Sequence, residues 1–229
     1  MQSNNVDFLN YPVFVINLKS EKEKWNKTYD MLKRRGFTHI IRVDAIHLIE
    51  NKSENSTDEQ HEIYTNENVI QDIWNDFGNP ILKENYTLHD QAYCINHLLC
   101  LKMIIYNNIQ HACITFDDIQ LHENWDTLSP IYWKYTPKEF DVCVLGGDFS
   151  AVENKQDNNI FYKNIYFYIV SFSGANKLIN ALTTQPCDIF LNTFNKEKIQ
   201  VHAWIASMFK KYTEKHNDTL GGLVLHESN

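Results

Sequence analysis

Two adjacent carboxylates, Asp117 and Asp118, follow directly after the apolar run 112–116. The run is short and bounded by polar residues, which indicates a buried strand ending at the two aspartates. Like charges a few ångströms apart raise each other's pKa, and a divalent cation removes that conflict. Oxygen ligands without neighbouring cysteine or histidine pairs suit Mg²⁺ or Mn²⁺, whose coordination substrate phosphates commonly complete. The pair is therefore a candidate metal site; the alternative is a turn cap at Asp118 beside a solvated Asp117.

A further carboxylate, Asp148, follows two glycines after another segment typical of a buried strand, 141–145. Gly146 and Gly147 permit either close approach of a ligand to the backbone or a tight turn, and the sequence leaves both open. In either case we expect the strand to stop at the glycines, which places Asp148 at its carboxyl end.

The elements that position these carboxylates begin with a β-α-β unit near the N-terminus. The β-branched run 13–18 predicts a buried strand, and Ser20 with Glu23 forms a capping box that predicts the start of a helix. Gly36 is placed to end that helix in a left-handed conformation, ahead of a second strand at 40–43. Helical spacing predicts that the inner face of the helix consists of Trp25, Tyr29 and Leu32.

Helical and strand patterns alternate along the rest of the chain. A capping box at Thr87 predicts a long helix to Tyr106, and another helix is predicted from about residue 173. Strands are predicted at 112–116, 141–145 and 165–171, polar loops at 47–68 and 151–159, and a polar, loosely held tail beyond residue 212. The alternation predicts a single α/β domain with its core over about residues 11–210, whose ligands lie at the carboxyl ends of the strands.

Composition narrows the classes of function. The chain has 229 residues, 43% of them hydrophobic, and its net charge of −8 repels a phosphate backbone, so we expect no nucleic-acid partner. The N-terminus does not resemble a leader and no run of 18 apolar residues occurs, so we expect a cytoplasmic protein without a membrane span. No glycine-rich nucleotide loop, zinc-protease motif or esterase motif is present. The cysteines form no C-x-x-C pair and are predicted to be reduced core residues: Cys94, Cys100, Cys113, Cys143 and Cys187.

Six blocks occur in order along the chain, among them Cys-Ile-Thr-Phe-Asp-Asp-Ile at 113–119. The others lie at 15–20, 42–45, 92–97, 168–178 and 186–191. In this order and spacing they resemble glycosyltransferase family 25, which contains bacterial lipooligosaccharide and collagen galactosyltransferases. The resemblance implies a GT-A-like α/β fold, with a mixed, mostly parallel sheet flanked by helices, a UDP-sugar as donor substrate, and Mn²⁺ or Mg²⁺ held by the acidic motif.

The resemblance also implies roles for single residues. It places Asp118 and Asp117 on the metal, and it places four residues near the nucleotide: Asn17, Leu18, Asp44 and Ala45. For Asn17 the alternative is a bond to the backbone at its strand end. His97 is retained from the helix block, and we interpret it as a buried core histidine rather than a catalytic one.

One position departs from the family pattern and one carboxylate has two interpretations. The acidic motif is commonly Glu-Asp-Asp, and Phe116 stands here in place of the Glu, so the metal-binding set consists of the two aspartates alone. Asp188, between Pro186 and an aromatic-apolar turn, is either the base that accepts the acceptor proton or the N-cap of the next helix. Asp148 is the other candidate base.

These observations together predict a metal-dependent, inverting glycosyltransferase. It would move a hexose, galactose or glucose, from a UDP-sugar to a hydroxyl group of a glycan or glycoprotein acceptor. The alternative is a catalytically degenerate relative that acts as a nucleotide-sugar-binding or protein-binding module, with a metal site weakened by Phe116. A third interpretation is a metal-dependent phosphoryl or nucleotidyl transferase built on similar carboxylates.

Overall fold

The computed structural model describes residues 7–46, 88–151, 160–184, 199–204 and 224–226. These residues form helices and strands in the order 3₁₀ helix Asp7–Asn10, β1 Pro12–Asn17, α1 Lys22–Arg34, β2 His39–Asp44, α2 Leu88–Tyr106, β3 His111–Phe116, β4 Ile119–Leu121, α3 Trp125–Tyr135, β5 Val142–Ala151, β6 Ile160–Ser171, α4 Phe172–Thr184, β7 Val201–Ala203 and β8 Val224–His226.

The larger of two sheets has six strands in the order β2-β1-β3-β6-β5-β7. β1 pairs in parallel with β2 and β3, and β5 pairs in parallel with β7. Only β6 runs against its neighbours β3 and β5 within this sheet. The predicted α/β class, with a mixed and mostly parallel sheet flanked by helices, is therefore confirmed. β4 and β8 form a separate antiparallel pair.

Alternate side chains of β1 face two apolar cores, as the period of a strand requires. Phe14 and Ile16 pack in one core with residues of α2 and α4. Val13 and Val15 pack in the other with residues of α1 and α3. Helices thus cover both faces of the sheet, which explains why β1 is buried almost throughout and reads as a continuous apolar run.

Helix α1 begins later than the capping box predicts. The N-cap residue is Glu21, without a side-chain capping bond, and Ser20 contributes only its carbonyl oxygen, 3.0 Å from the Lys22 amide. The capping-box prediction is wrong because a turn closed by the Glu21 amide on the Leu18 carbonyl, at 2.9 Å, places Ser20 ahead of the helix. The predicted end is confirmed, since Gly36 has a φ of +91°, in the left-handed region.

The inner face of α1 also differs from the predicted one. Thr28 and Leu32, four residues apart, are buried, while Trp25 and Tyr29 are only half-buried. The helix is therefore rotated so that a polar residue, Thr28, faces the sheet.

Strand β5 does not stop at its glycines. It continues through Gly146 and Gly147 to Ala151, with irregular pairing on either side of Gly146 and again after Asp148. Glycine inside a strand commonly marks a bulge, so the strand bends here instead of ending. The prediction that Asp148 stands at a strand end is therefore wrong, and the partner strand β6 correspondingly begins at Ile160, before the predicted 165.

Other parts of the fold were predicted, were not predicted, or lie outside the described residues. The long helix to Tyr106 is confirmed as α2, and the cysteines among the described residues are free and buried: Cys94, Cys100, Cys113 and Cys143. The short strands β4 and β8 and helix α3, which contains Pro130, were not predicted. The segment 47–68, Cys187 and Asp188 lie outside the described residues. No helix in the described part of the chain is both long and apolar enough to span a membrane.

Candidate functional site

The order of the strands creates a crevice at the carboxyl ends of β1 and β3. From β1 the chain passes through α1 to β2 on one side, whereas β3 lies on the other side of β1. Such a reversal of strand order is the point at which open α/β sheets bind their ligands. Asn17 is the last residue of β1, and Asp117 and Asp118 directly follow β3. The sequence-predicted carboxylates therefore lie at the place in this sheet most suited to ligand binding.

Asn17 links the two strand ends. Its side chain is 1% exposed, and Nδ2 donates to the Asp117 carboxylate oxygen Oδ2 and, at 3.0 Å, to the Glu21 carbonyl oxygen. Oδ1 of Asn17 is buried and has no hydrogen-bond partner among the described residues. A second contact reaches Asp117 from α1, because the hydroxyl of Thr28 donates to its backbone carbonyl at 2.6 Å.

The half-buried carboxyl group of Asp117 has a pKa above its ordinary value. Burial is the largest cause, since it disfavours the charged form, and the charge of Asp118 adds to it. The hydrogen bond from Asn17 and the charge of Lys24 act in the opposite direction. A bound cation would remove the repulsion between the two aspartates.

Phe116 lies in an aromatic layer on the α2 side of the sheet. Its ring stacks on that of Tyr93, with centroids 5.2 Å apart and planes at 20°, and it meets the ring of His97 edge-on at 5.2 Å. Asp117 faces Asn17 and Thr28 on the α1 side, so consecutive residues point to opposite faces. Phe116 therefore packs against the hydrophobic core and does not belong to a ligand set beside Asp117.

Arg42 contacts two of the residues that are predicted to bind the nucleotide. Its Nη2 donates to the Leu18 carbonyl at 3.1 Å, and its Nε lies 3.6 Å from Oδ1 of Asp44. The amide of Ala45 donates to the Asn17 carbonyl at 2.9 Å and extends the β1–β2 pairing by one residue. The structure thus brings Asn17, Leu18, Asp44 and Ala45 together around the ends of β1 and β2.

The structure describes the backbone of only one of the two candidate bases. β3 pairs with β6 as far as Thr115 opposite Phe167, whereas β5 and β6 continue to pair beyond that level. Asp148 lies opposite Asn164 on this extension, which projects past the edge of β3; its side chain is not among the described ones. Asp188 lies outside the described residues. Their roles stay predictions.

His97 is a core residue, as its interpretation from the sequence anticipated. It is 1% exposed, and its Nδ1 lies 2.8 Å from the hydroxyl of Tyr168. Burial lowers the pKa of its imidazole to about 3, so the ring is neutral at physiological pH. A neutral, inaccessible imidazole is unsuited to exchanging protons with a substrate.

Asp117 and Asp118 fit a hard divalent cation as a pair of oxygen ligands. Mg²⁺ commonly takes one or two carboxylates from the protein and completes its octahedral shell with water and substrate phosphates. Within the described ranges no group of three His, Cys, Asp or Glu side chains is close enough to hold a metal by itself.

Thr28 is the residue at this site that the sequence analysis missed. Its spacing of four from Leu32 places both on one helical face, and a threonine on the buried side of an otherwise polar helix is the signal that could have identified it. The predicted face contains Leu32 but combines it with Trp25 and Tyr29, because aromatic residues are the stronger apolar signal.

Comparisons with known proteins return structural neighbours only. No protein-family model matches the chain, and no curated protein matches it. One solved structure with similarity is a glycosyltransferase involved in the glycosylation of the major capsid of PBCV-1, with 10% sequence identity over 95% of this chain and 93% of that chain and a TM-score of 0.44. Another is A197 from STIV, with 8% identity over 96% of this chain and 86% of that chain and a TM-score of 0.40. At these identities and TM-scores, neither assigns an activity to this chain.

Proposed function

We propose that this chain is a metal-dependent glycosyltransferase that moves a hexose from a UDP-sugar to a hydroxyl group of a glycan or glycoprotein, with inversion at the anomeric carbon. The observation that carries the proposal is the hydrogen bond from Asn17, at the carboxyl end of β1, to the carboxylate of Asp117, which with Asp118 directly follows β3. The choice of a UDP-linked hexose, galactose or glucose, rests on the resemblance of the sequence blocks to family 25.

Each group at the site has a part in this reaction. Asp118 and Asp117 would hold Mn²⁺ or Mg²⁺, which when bound neutralises the charge of the departing diphosphate. The ends of β1 and β2 would bind the nucleotide through Asn17, Leu18, Asp44 and Ala45. Asp188 or Asp148 would accept the proton of the acceptor hydroxyl. The hydroxyl oxygen would then bond to the anomeric carbon while the bond from that carbon to the diphosphate breaks.

A second candidate function is favoured by the position of Phe116. Residue 116 is Phe where family 25 commonly has Glu, and its ring stacks on Tyr93, so the acidic motif contains two carboxylates instead of three. A site with fewer ligands binds a cation more weakly, and such a chain would act as a nucleotide-sugar-binding or protein-binding module without turnover.

Calorimetry of UDP with and without Mn²⁺ separates these two functions. For the enzyme we expect UDP binding that requires Mn²⁺, together with hydrolysis or transfer of at least one UDP-sugar in a donor screen. Asp118→Asn should abolish turnover and leave the fold intact. Asp30→Asn is the matched control, because Asp30 is exposed on α1 and should not affect either measurement.

The outcomes exclude one another. UDP binding that does not need Mn²⁺, or no UDP binding at all, together with no turnover of any donor, would favour the binding module over the enzyme. If Asp118→Asn turns over UDP-sugars as fast as wild type in the presence of Mn²⁺, the proposed metal site is wrong.

A further inference from the structure

We infer that Asn17 is a positioning residue for Asp117, and that Thr28 completes the same clamp from helix α1. The inference rests on the proposed function, in which Asp117 is one of two cation ligands. Asn17 fixes one carboxylate oxygen of Asp117 through Nδ2, and Thr28 fixes its backbone carbonyl at 2.6 Å. With the backbone and one end of the side chain both held, the Asp117 carboxylate is confined to one orientation.

The hydrogen bonding of Asn17 separates this role from a purely structural one. A buried polar atom without a partner is unfavourable, and Oδ1 of Asn17 is such an atom among the described residues. Asn96 on α2 shows the contrast: its Oδ1 accepts from the Ile46 amide at 2.7 Å and its Nδ2 donates to the Ile46 carbonyl at 3.1 Å. Asn96 uses both polar atoms to hold the backbone, whereas Asn17 has one unsatisfied atom and directs its donors to Asp117 and to the start of α1.

Thr28 holds the same residue from a different element, through the backbone carbonyl of Asp117 and not through its carboxylate. It is 1% exposed, in a helix whose other fully buried residue is Leu32. Helix α1 therefore contributes one buried hydroxyl to the sheet, and that hydroxyl meets the residue that follows β3. Groups that orient a metal ligand typically change metal affinity by about 10- to 100-fold when removed.

The test measures Mn²⁺ alone, by the electron paramagnetic resonance signal of the free ion, on the full chain and without donor or acceptor. The variants are Asn17→Leu and Thr28→Val, with Thr28→Ser as the conservative variant that keeps the hydroxyl. We expect the first two to weaken Mn²⁺ binding by about tenfold or more and Thr28→Ser to bind within about threefold of wild type.

Thermal unfolding distinguishes positioning from a purely structural role, because loss of a structural residue would lower the unfolding midpoint. Asn17→Leu removes the unsatisfied Oδ1 together with two donated bonds, so its unfolding midpoint should stay within about 4 °C of wild type. Asn176→Leu is the matched control, because among the described residues its amide donates to the Phe172 carbonyl within α4 and not to a residue of the site; its Mn²⁺ affinity should equal that of wild type.

Failure of the inference and failure of the proposed function are distinguishable. If wild type binds Mn²⁺, Asp118→Asn does not, and both Asn17→Leu and Thr28→Val bind as tightly as wild type, the clamp is overturned and the metal site stands. If wild type binds no Mn²⁺, the proposed metal site fails and the clamp fails with it. Should Asn17→Leu not fold, the comparison of Thr28→Val with Thr28→Ser decides, because valine matches threonine in size without the hydroxyl and serine keeps the hydroxyl.

Discussion

The imidazole Nδ1 of His97 lies 2.8 Å from the hydroxyl of Tyr168, and the pair is buried between α2 and β6. Burial lowers the pKa of His97 to about 3, whereas an unfolded chain has a histidine pKa of about 6.5. The unfolded state therefore binds the proton first as the pH falls below about 6.5. The stability associated with a neutral His97 is complete above that pH and is lost progressively towards pH 3.

This difference in pKa predicts a stability loss that can be assigned to one residue. Between pH 7.5 and 4.5, His97 should contribute a decrease of about 2 to 3 kcal/mol in the free energy of unfolding. His97→Gln keeps a polar partner for Tyr168 and does not titrate, so its decrease should be smaller by that amount. Urea unfolding at both pH values in EDTA measures the difference, and His39→Gln, at an exposed histidine, is the control. Equal pH dependence in wild type and His97→Gln would contradict the prediction.

Gly174 predicts a second, purely structural effect. A Cβ at this position would collide with the backbone carbonyl oxygen of Asp141, which also accepts from the Ser171 amide at 3.0 Å. The obstacle is backbone and cannot rotate away, so Gly174→Ala should destabilise the fold by about 1 to 3 kcal/mol. Ser173→Ala, at the exposed neighbouring position, should stay within about 0.5 kcal/mol of wild type in the same urea titration. A Gly174→Ala variant as stable as wild type would show that α4 can shift away from β5.

Much of the parallel sheet follows from local sequence. The runs that become β1 and β3 are apolar because both faces of these strands are covered by helices, and such runs are recognisable without knowledge of their partners. The aspartates after β3 are equally visible, because two carboxylates directly after a buried run interrupt its pattern. Their position at the carboxyl edge of the sheet, where α/β proteins commonly bind ligands, then follows from the general behaviour of such sheets.

The parts that could not be predicted depend on contacts between distant segments. Asn17 and Asp117 are one hundred positions apart, and only the order of the strands shows that β1 and β3 are neighbours. Gly146 and Gly147 suit a turn and a bulge equally well, and only the pairing of β5 with β6 shows which of the two forms. Helix α3 contains Pro130 in its interior, where proline lacks an N–H donor and ordinarily kinks or breaks a helix, so the local sequence argues against the helix that the structure contains.

The ion pair of Lys177 with Asp141 predicts unequal effects of its two partners. Asp141 is almost fully buried and accepts both from Lys177 Nζ and from the Gln200 amide, each at 2.7 Å. The Lys177 side chain is 42% exposed, so solvent screens its charge and Lys177→Met should cost only about 1 kcal/mol. Asp141→Ala also leaves the Gln200 amide without its acceptor and should cost about 3 kcal/mol. Equal losses in the two variants, measured by urea unfolding, would show that the lysine carries the whole interaction.

The two candidate bases, Asp188 and Asp148, predict opposite results in a pair of substitutions. Loss of a general base typically lowers turnover by about 10²- to 10⁴-fold, because the acceptor hydroxyl must then lose its proton without help. UDP binding does not need that proton transfer, so the true base is the residue whose Asn variant loses turnover while its calorimetric UDP affinity in Mn²⁺ stays at the wild-type value. The sequence pattern at Asp188 favours Asp188→Asn as that variant. Asp148 lies on the extension of β5, a position that favours a role in binding the acceptor. For Asp148→Asn we therefore expect a raised KM for the acceptor and little change in kcat. A large fall in kcat for Asp148→Asn, with Asp188→Asn unchanged, would transfer the role of base to the β5–β6 extension and leave Asp188 as a helix cap.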